Sequence, residues 1–256
     1  MKIRQLLLSI LFFISVPAHA DIMLLLHGFL GHAFSWEKSG INLELQRLGW
    51  SHAGTFEGSS YGPQLLVTAN YGATNQVYTA TLPSQLPIMV QSDVLKNIVD
   101  ILRQRYPDEE IILVGHSAGG LVARMLLVRH KADNIKALIT IASPHVGTHK
   151  ANQALKITDN HGPFNIVKNV FGGDDYDDLK HSRGLMYDLE YPRPGNMLYW
   201  LNSQPHPDIN YTSVIRADYD HIVPSMSQDM NLIPALEGKS RIFLTPGPHY
   251  LKGPDG

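Results

Sequence analysis

The chain contains no cysteine, so disulfides, zinc–thiolate sites, iron–sulfur clusters and thiol nucleophiles are all excluded. It also lacks an excess of either charge. Its 21 Lys plus Arg stand against 23 Asp plus Glu, a formal net charge of -2. A balance so near neutrality gives no electrostatic footprint for nucleic acid or for an acidic polymer. Internal repeats, coiled-coil heptads and low-complexity tracts are missing as well. What is present is apolar: 44% of residues are hydrophobic and 17% charged, enough for a large core and an argument against disorder. A length of 256 residues lies at the upper end for one domain, and a single α/β or barrel domain can use all of it.

The first twenty residues read as an address. Lys2 and Arg4 make a short basic start, Leu6 to Val16 is almost entirely apolar, and Pro17 leads into Ala18-His19-Ala20. That is the small-x-small pattern read by signal peptidase. The apolar run is about 11 residues, whereas a membrane-spanning helix needs roughly 20. The expectation is therefore a signal peptide over 1–20 and an exported product, periplasmic or secreted. An uncleaved anchor is the competing reading. Residues 21–256 are expected to form a single domain stabilised by packing alone.

Ile22 to Leu26 is a continuous apolar run, the profile of a strand buried on both faces. Trp36 to Leu48 reads as a helix ended by Gly49. Leu65 to Ala69 and Gln76 to Leu82 look like strands around a turn-rich Asn70 to Asn75. Ile88 to Tyr106 is an amphipathic helix stopped by Pro107. Ile111 to Val114 and Ile135 to Ala142 are short buried strands, and Leu121 to His130 between them is helical. Helix, strand, helix, strand implies a parallel sheet with right-handed crossovers. Ser143 to Pro207 breaks the rhythm and is rich in Gly, Pro, Asp and Asn. Within it only Gln153 to Ile157 and Phe164 to Phe171 look locally ordered, so residues of about 148–207 read as a cap or lid insertion. Tyr211 to Ile215 and Arg241 to Leu244 restore short strands.

Gly115-His116-Ser117-Ala118-Gly119 is a G-x-S-x-G pattern followed by Gly120. The pattern alone is weak, but its placement is specific: an apolar strand leads in and a helix leads out, the context a nucleophile elbow requires. The turn is so tight that side chains two residues either side would clash, hence the glycines. The helix N-terminus then directs its positive end at a developing oxyanion. An ordinary strand-to-helix turn, or such a turn cradling a phosphate, is the competing reading, and the absence of Lys-Ser/Thr after the glycines excludes a P-loop.

With these residues in view the sequence resembles the α/β-hydrolase superfamily, in its lipase and esterase branches. His27-Gly28-Phe29-Leu30-Gly31 follows the first strand, as in lipases whose H-G segment opens the oxyanion loop. Gly115 to Gly119 is the elbow. Ser143-Pro144-His145-Val146-Gly147-Thr148 is similar to the small-Pro-His-x-Gly segment ending a lipase strand, and Asp220-His221-Ile222-Val223-Pro224 is similar to the acid loop. The resemblance implies an α/β-hydrolase fold: a mostly parallel central sheet, helices on both faces and a cap insertion.

A serine hydroxyl needs a base, and the base an orienting carboxylate. In this fold their order is Ser, Asp or Glu, His. Asp220 is preferred to its neighbour Asp218 by its spacing to Ile222-Val223-Pro224. Of 13 histidines, His249 lies where the base should fall, after the last strand and Pro246-Gly247-Pro248. His221 is too near the acid, His116 should point away from the serine, and His145 belongs to the Ser-Pro-His turn. His27 reads as a structural histidine tying down its loop. The catalytic set is thus Ser117, Asp220 and His249, with backbone N–H groups of Phe29 and Ala118 as the oxyanion hole. The chain ends seven residues after His249, so the long final helix of many relatives is not expected.

Asp174, Asp175, Asp177 and Asp178 make an acidic knot beside Gly172-Gly173. Some similar lipases carry calcium, yet EF-hand spacing fails here, and a solvated loop is preferred to a metal site. No cofactor is implied. Asn165 to Phe171 could form an apolar lid helix meeting a lipid interface, or an ordinary core helix. The expected activity is hydrolysis of carboxylic acyl esters, from small molecules or lipids, through an acyl-enzyme. Acyl transfer by the same intermediate, or a non-catalytic binder on the same fold, are the alternatives.

Overall fold

The computed structural model describes residues 20–58, 61–66, 75–130, 133–159, 176–218 and 220–251. The elements run β1 (Asp21–Leu26), α1 (Phe34–Lys38), α2 (Ile41–Arg47), β2 (Trp50–Glu57), β3 (Gln64–Leu66) and β4 (Asn75–Thr81). Then come α3 (Ile88–Arg105), β5 (Glu110–His116), α4 (Ala118–His130), β6 (Ile135–Ile141), α5 (His149–Asp159) and α6 (Tyr176–His181). The last are α7 (Arg183–Asp188), α8 (Met197–Asn202), β7 (Asn210–Arg216), three short 3₁₀ turns within 225–236, and β8 (Ser240–Thr245). Among the described residues the strands form one eight-stranded sheet in the order β3-β2-β4-β1-β5-β6-β7-β8. All neighbours are parallel except β2 and β3.

The apolar runs become strands because both sheet faces are covered. Ile22, Leu24 and Leu26 of β1 join the larger core cluster, in which α3 and α4 lie. Met23 and Leu25, pointing the other way, join Trp36 and Val114, with Ile41 and Leu45 of α2 against them. Side chains alternate across a strand, so one unbroken apolar run feeds two cores. The outer strand β8 is different: Phe243 and Leu244 are exposed.

Several expectations needed correction. The helix over Trp36–Leu48 is two short helices, because Gly40 takes φ 76° between them and that left-handed conformation interrupts the ladder. β2 was not foreseen. Its sequence WSHAGTFE has no apolar run, and its pairing with β4 shifts register between His52 and Gly54. The strand expected over Leu65–Ala69 is present as Gln64–Leu66, and 67–74 lie outside the described residues. The insertion between β6 and β7 is more helical than its composition suggested, with α5, α6, α7 and α8. Residues 1–19 of the expected signal peptide (1–20), the helix expected over Asn165–Phe171 and Asp174–Asp175 of the acidic knot all lie outside the described residues. Among the described residues no helix is long and apolar enough to cross a membrane.

Candidate active site

Parallel strands deliver their C-terminal ends to one edge of the sheet, where ligands of such folds collect. β5 hands over to α4 there through Ser117, which sits at φ 52°, a sparsely populated conformation that costs about 1–3 kcal/mol. Its amide donates to Ile141 O at 2.8 Å, locking the turn to β6. The glycines around it are spatial necessities. A Cβ on Gly115 would lie 2.5 Å from Gly120 Cα, and one on Gly28 would lie 2.7 Å from Ser117 Cβ. A Cβ on Gly119 would strike the carbonyl oxygen of His27.

The three residues expected to act together do meet. His249 Nε2 lies 2.9 Å from Ser117 Oγ, and its Nδ1 lies 2.8 Å from Asp220 Oδ2. Both His249 and Asp220 are buried, their side chains 6% and 1% exposed. Asp220 Oδ1 accepts from the amides of Ile222 at 2.9 Å and Val223 at 2.8 Å. Its Oδ2 also accepts from Gln228 Nε2 at 3.0 Å. Four donors thus converge on one carboxylate and fix its orientation. Gln228 is in turn fixed by the Arg216 amide at 2.8 Å and by Val223 O at 2.9 Å. Asp218 and His221 are exposed and stand apart from this chain of bonds.

Ala118 is the first residue of α4, so its amide has no acceptor within the helix. Phe29 lies with Gly28, Leu30 and Gly31 in the loop facing it, and all four line a cavity of about 310 Å³ that contains Ser117 and His249. Pro144, Leu189, Ile222, Val223, Tyr250 and Leu251 supply much of its apolar wall. Leu30 and Ala142 also take φ 52°, so left-handed backbone recurs at the loops around the cavity.

Two histidines support the loops without facing the serine. His27 Nδ1–H donates to Gly28 O at 2.8 Å and its Nε2 accepts from the Leu82 amide at 2.9 Å. Burial lowers its pKa to about 4, so the ring is neutral and its tautomer fixed. His116 donates from Nε2 to His249 O at 2.8 Å, and burial lowers its pKa to about 3. Sequence reasoning overlooked a third support behind Pro144. The guanidinium of Arg124, wholly buried in α4, donates to His145 Nδ1 at 3.3 Å, Asn202 Oδ1 at 2.9 Å and His206 Nε2 at 3.1 Å. These acceptors are neutral, and burial lowers the Arg124 pKa to about 9. Gln228 and Arg124 were beyond reach because nothing local in sequence distinguishes them. Of the acidic knot, Asp177 and Asp178 open α6, and Asp178 accepts from Gln85 at 2.7 Å.

Comparison with known proteins gives consistent likenesses. A family model described as PGAP1-like alpha/beta domain matches residues 68–167, less than half of the chain. A GPI inositol-deacylase of Xenopus laevis is 44% identical over 55 residues, 20% of this chain but 6% of that protein. The matched segment is thus a small part of that relative's length. Among solved structures, the mature form of lipase BlEst2 from Bacillus licheniformis aligns over 92% of this chain and 88% of its own. Its TM-score is 0.63 and its identity 15%. A highly thermostable carboxyl esterase from Bacillus coagulans aligns over 90% of this chain and 82% of its own, with TM-score 0.57 and identity 12%.

Proposed function

We propose that this chain, which has the α/β-hydrolase fold of lipases and esterases, is an exported serine hydrolase of carboxylic acyl esters. The observation that carries the reading is the unbroken chain Ser117 Oγ, His249 Nε2, His249 Nδ1, Asp220 Oδ2, with links of 2.9 and 2.8 Å, opening onto an apolar cavity. His249 takes the hydroxyl proton as Ser117 Oγ bonds to the ester carbon. Asp220 holds the imidazole in the right tautomer and stabilises its cation. The amides of Ala118 and Phe29 receive the tetrahedral oxyanion. Collapse releases the alcohol with the proton from His249, and water repeats the sequence to free the acid. No cofactor enters any step.

Cap and export belong to the same proposal. Thr148 and Leu189, both from the insertion between β6 and β7, line the cavity and support a cap over 148–207 that meets lipid or small-molecule esters. The basic, apolar and small-x-small order of residues 1–20 supports a cleaved signal. The named activities of the similar lipase and esterase, and of the deacylase, agree with an acyl ester as substrate class.

The test is a chain-length series of p-nitrophenyl esters and emulsified triglyceride, with fluorophosphonate labelling of Ser117. Ser117→Ala should lower kcat by at least roughly 10⁴-fold while leaving the circular dichroism and Tm near wild type. Ester turnover retained by that variant, or a wild-type serine that does not label, would overturn the reading.

A further inference from the structure

The loop that carries His249 leaves β8 at Thr245 and has no strand or helix of its own among the described residues through Leu251. A relay that works over hydrogen-bond distances needs its members held within about 0.5 Å. Asp220 orients the His249 ring about its own bonds, but orienting a ring does not fix the main chain beneath it. Among the described hydrogen bonds, the one reaching the His249 main chain comes from the His116 ring, 2.8 Å from its carbonyl oxygen. The two rings lie against each other with centroids 5.1 Å apart. His116 is 8% exposed and ends β5, so it is as rigid as the sheet and adjoins Ser117 in the chain.

We propose that His116 is a positioning residue: through its Nε2–H it ties the base-bearing loop to the nucleophile elbow and sets the reach of His249 to Ser117. The inference rests on the function proposed above and adds a role to a residue outside the relay. One rigid dipeptide, His116-Ser117, then offers both the nucleophile and the anchor of its base, so the distance between them depends little on the loop's other contacts. The low basicity of the buried ring suits the task, because a ring that remains neutral keeps the same donor at every pH where an esterase could work.

A packing role and a donor role predict opposite orders for two substitutions. His116→Phe keeps ring volume and loses the donor. His116→Gln loses the ring and keeps an N–H at the former Nε2. If the hydrogen bond positions the base, His116→Phe lowers kcat roughly 10- to 100-fold, since a misplacement of about 1 Å costs on that scale. KM stays within about twofold, and His116→Gln recovers most of the loss. The rate of Ser117 labelling by a fluorophosphonate falls in parallel with kcat. A Phe variant as active as wild type, or more active than the Gln variant, overturns the proposal. Because labelling needs no ester substrate, a wild-type protein that labels but hydrolyses no ester would sink the function proposed above while leaving the His116 comparison readable. Should His116→Phe fail to fold, nitrogen-15 NMR of the wild-type histidine rings decides. A neutral His116 ring with a slowly exchanging proton on Nε2 supports the bond to His249 O, and a proton on Nδ1 refutes it.

Discussion

Two loops flank Ser117, and they are held in different ways. The loop after β1 is tied to the end of β4 at two points. The Leu82 amide donates to His27, and the Ala33 amide donates to Thr81 Oγ1 at 3.0 Å. Thr81 is itself bonded to Glu57 at 3.0 Å, and the Gly31 amide closes a turn onto Gly28 O at 3.0 Å. The loop after β8 is tied at its own carbonyls instead: Arg216 Nη1 donates to Pro246 O at 2.9 Å and His116 Nε2 to His249 O at 2.8 Å. On the base side one of these bonds falls on His249 itself, whereas on the opposite side the ties fall on His27 and Ala33, which flank Phe29. The geometry of the oxyanion side is therefore expected to survive losses that would misplace the base.

Substitutions can break or sharpen that contrast. The largest effect among residues that support the base should come from Asp220→Asn, with kcat down by roughly 10³–10⁴-fold at neutral pH. Steady-state kinetics beside an unchanged Tm would check this. His116→Phe should come next, at the level given above. His27→Phe removes one of the two ties on the opposite loop, away from Phe29 itself, and we expect a kcat loss of about tenfold or less. A loss larger than that of His116→Phe would reverse the contrast. Stability should respond to acid more gently. His27, His116, His145 and His206 all have folded-state pKa values pushed below 6.5, in each case first by burial. Unfolded histidine takes up a proton below about pH 6.5 and these folded rings do not. Their contribution is therefore complete above that pH and is lost as pH falls toward 4. Each fully buried ring contributes a slope of at most about 1.4 kcal/mol per pH unit. Burial also lowers the half-buried His52, while Asp188, raised to about 6 by burial, acts in the opposite direction between about pH 4 and 6, one group against five. Calorimetry should thus find Tm lower at pH 5 than at pH 7.5, and an equal Tm at both would contradict the buried, neutral histidines.

The parts legible in the sequence share one property: their signal is local. β1, β5 and β6 announce themselves because burial on both faces demands unbroken apolar runs, and α3 because one face of eighteen residues is apolar. Ser117 is marked by the glycines its turn requires, and Asp220 and His249 by their order after it. Those three are brought within hydrogen-bond distance in the structure. What sequence could not supply is juxtaposition. His116 meets His249 across 133 positions, Arg124 meets His206 across 82, and Gln228 reaches Asp220 only because the 225–228 turn folds back over β7. β2 escaped notice for a related reason: its polar and small residues are acceptable in a strand only because β3 and β4 pair with it.

The parallel register of the sheet has one more consequence. Gly115 stands opposite Leu26 on one side and Thr140 on the other, and Arg216 stands opposite Thr245. Ser117, Asp220 and His249 follow those strand ends by a few residues each. A slip of one position in any of these strands would move its terminus by about 3.3 Å and invert which face its side chains occupy. The 2.8–2.9 Å links between the three residues would not survive it. The sheet thus works as a ruler. Turnover reports whether every strand has docked at the right notch, so a compact but misregistered refolding product should be recognisable by its silence in an activity assay.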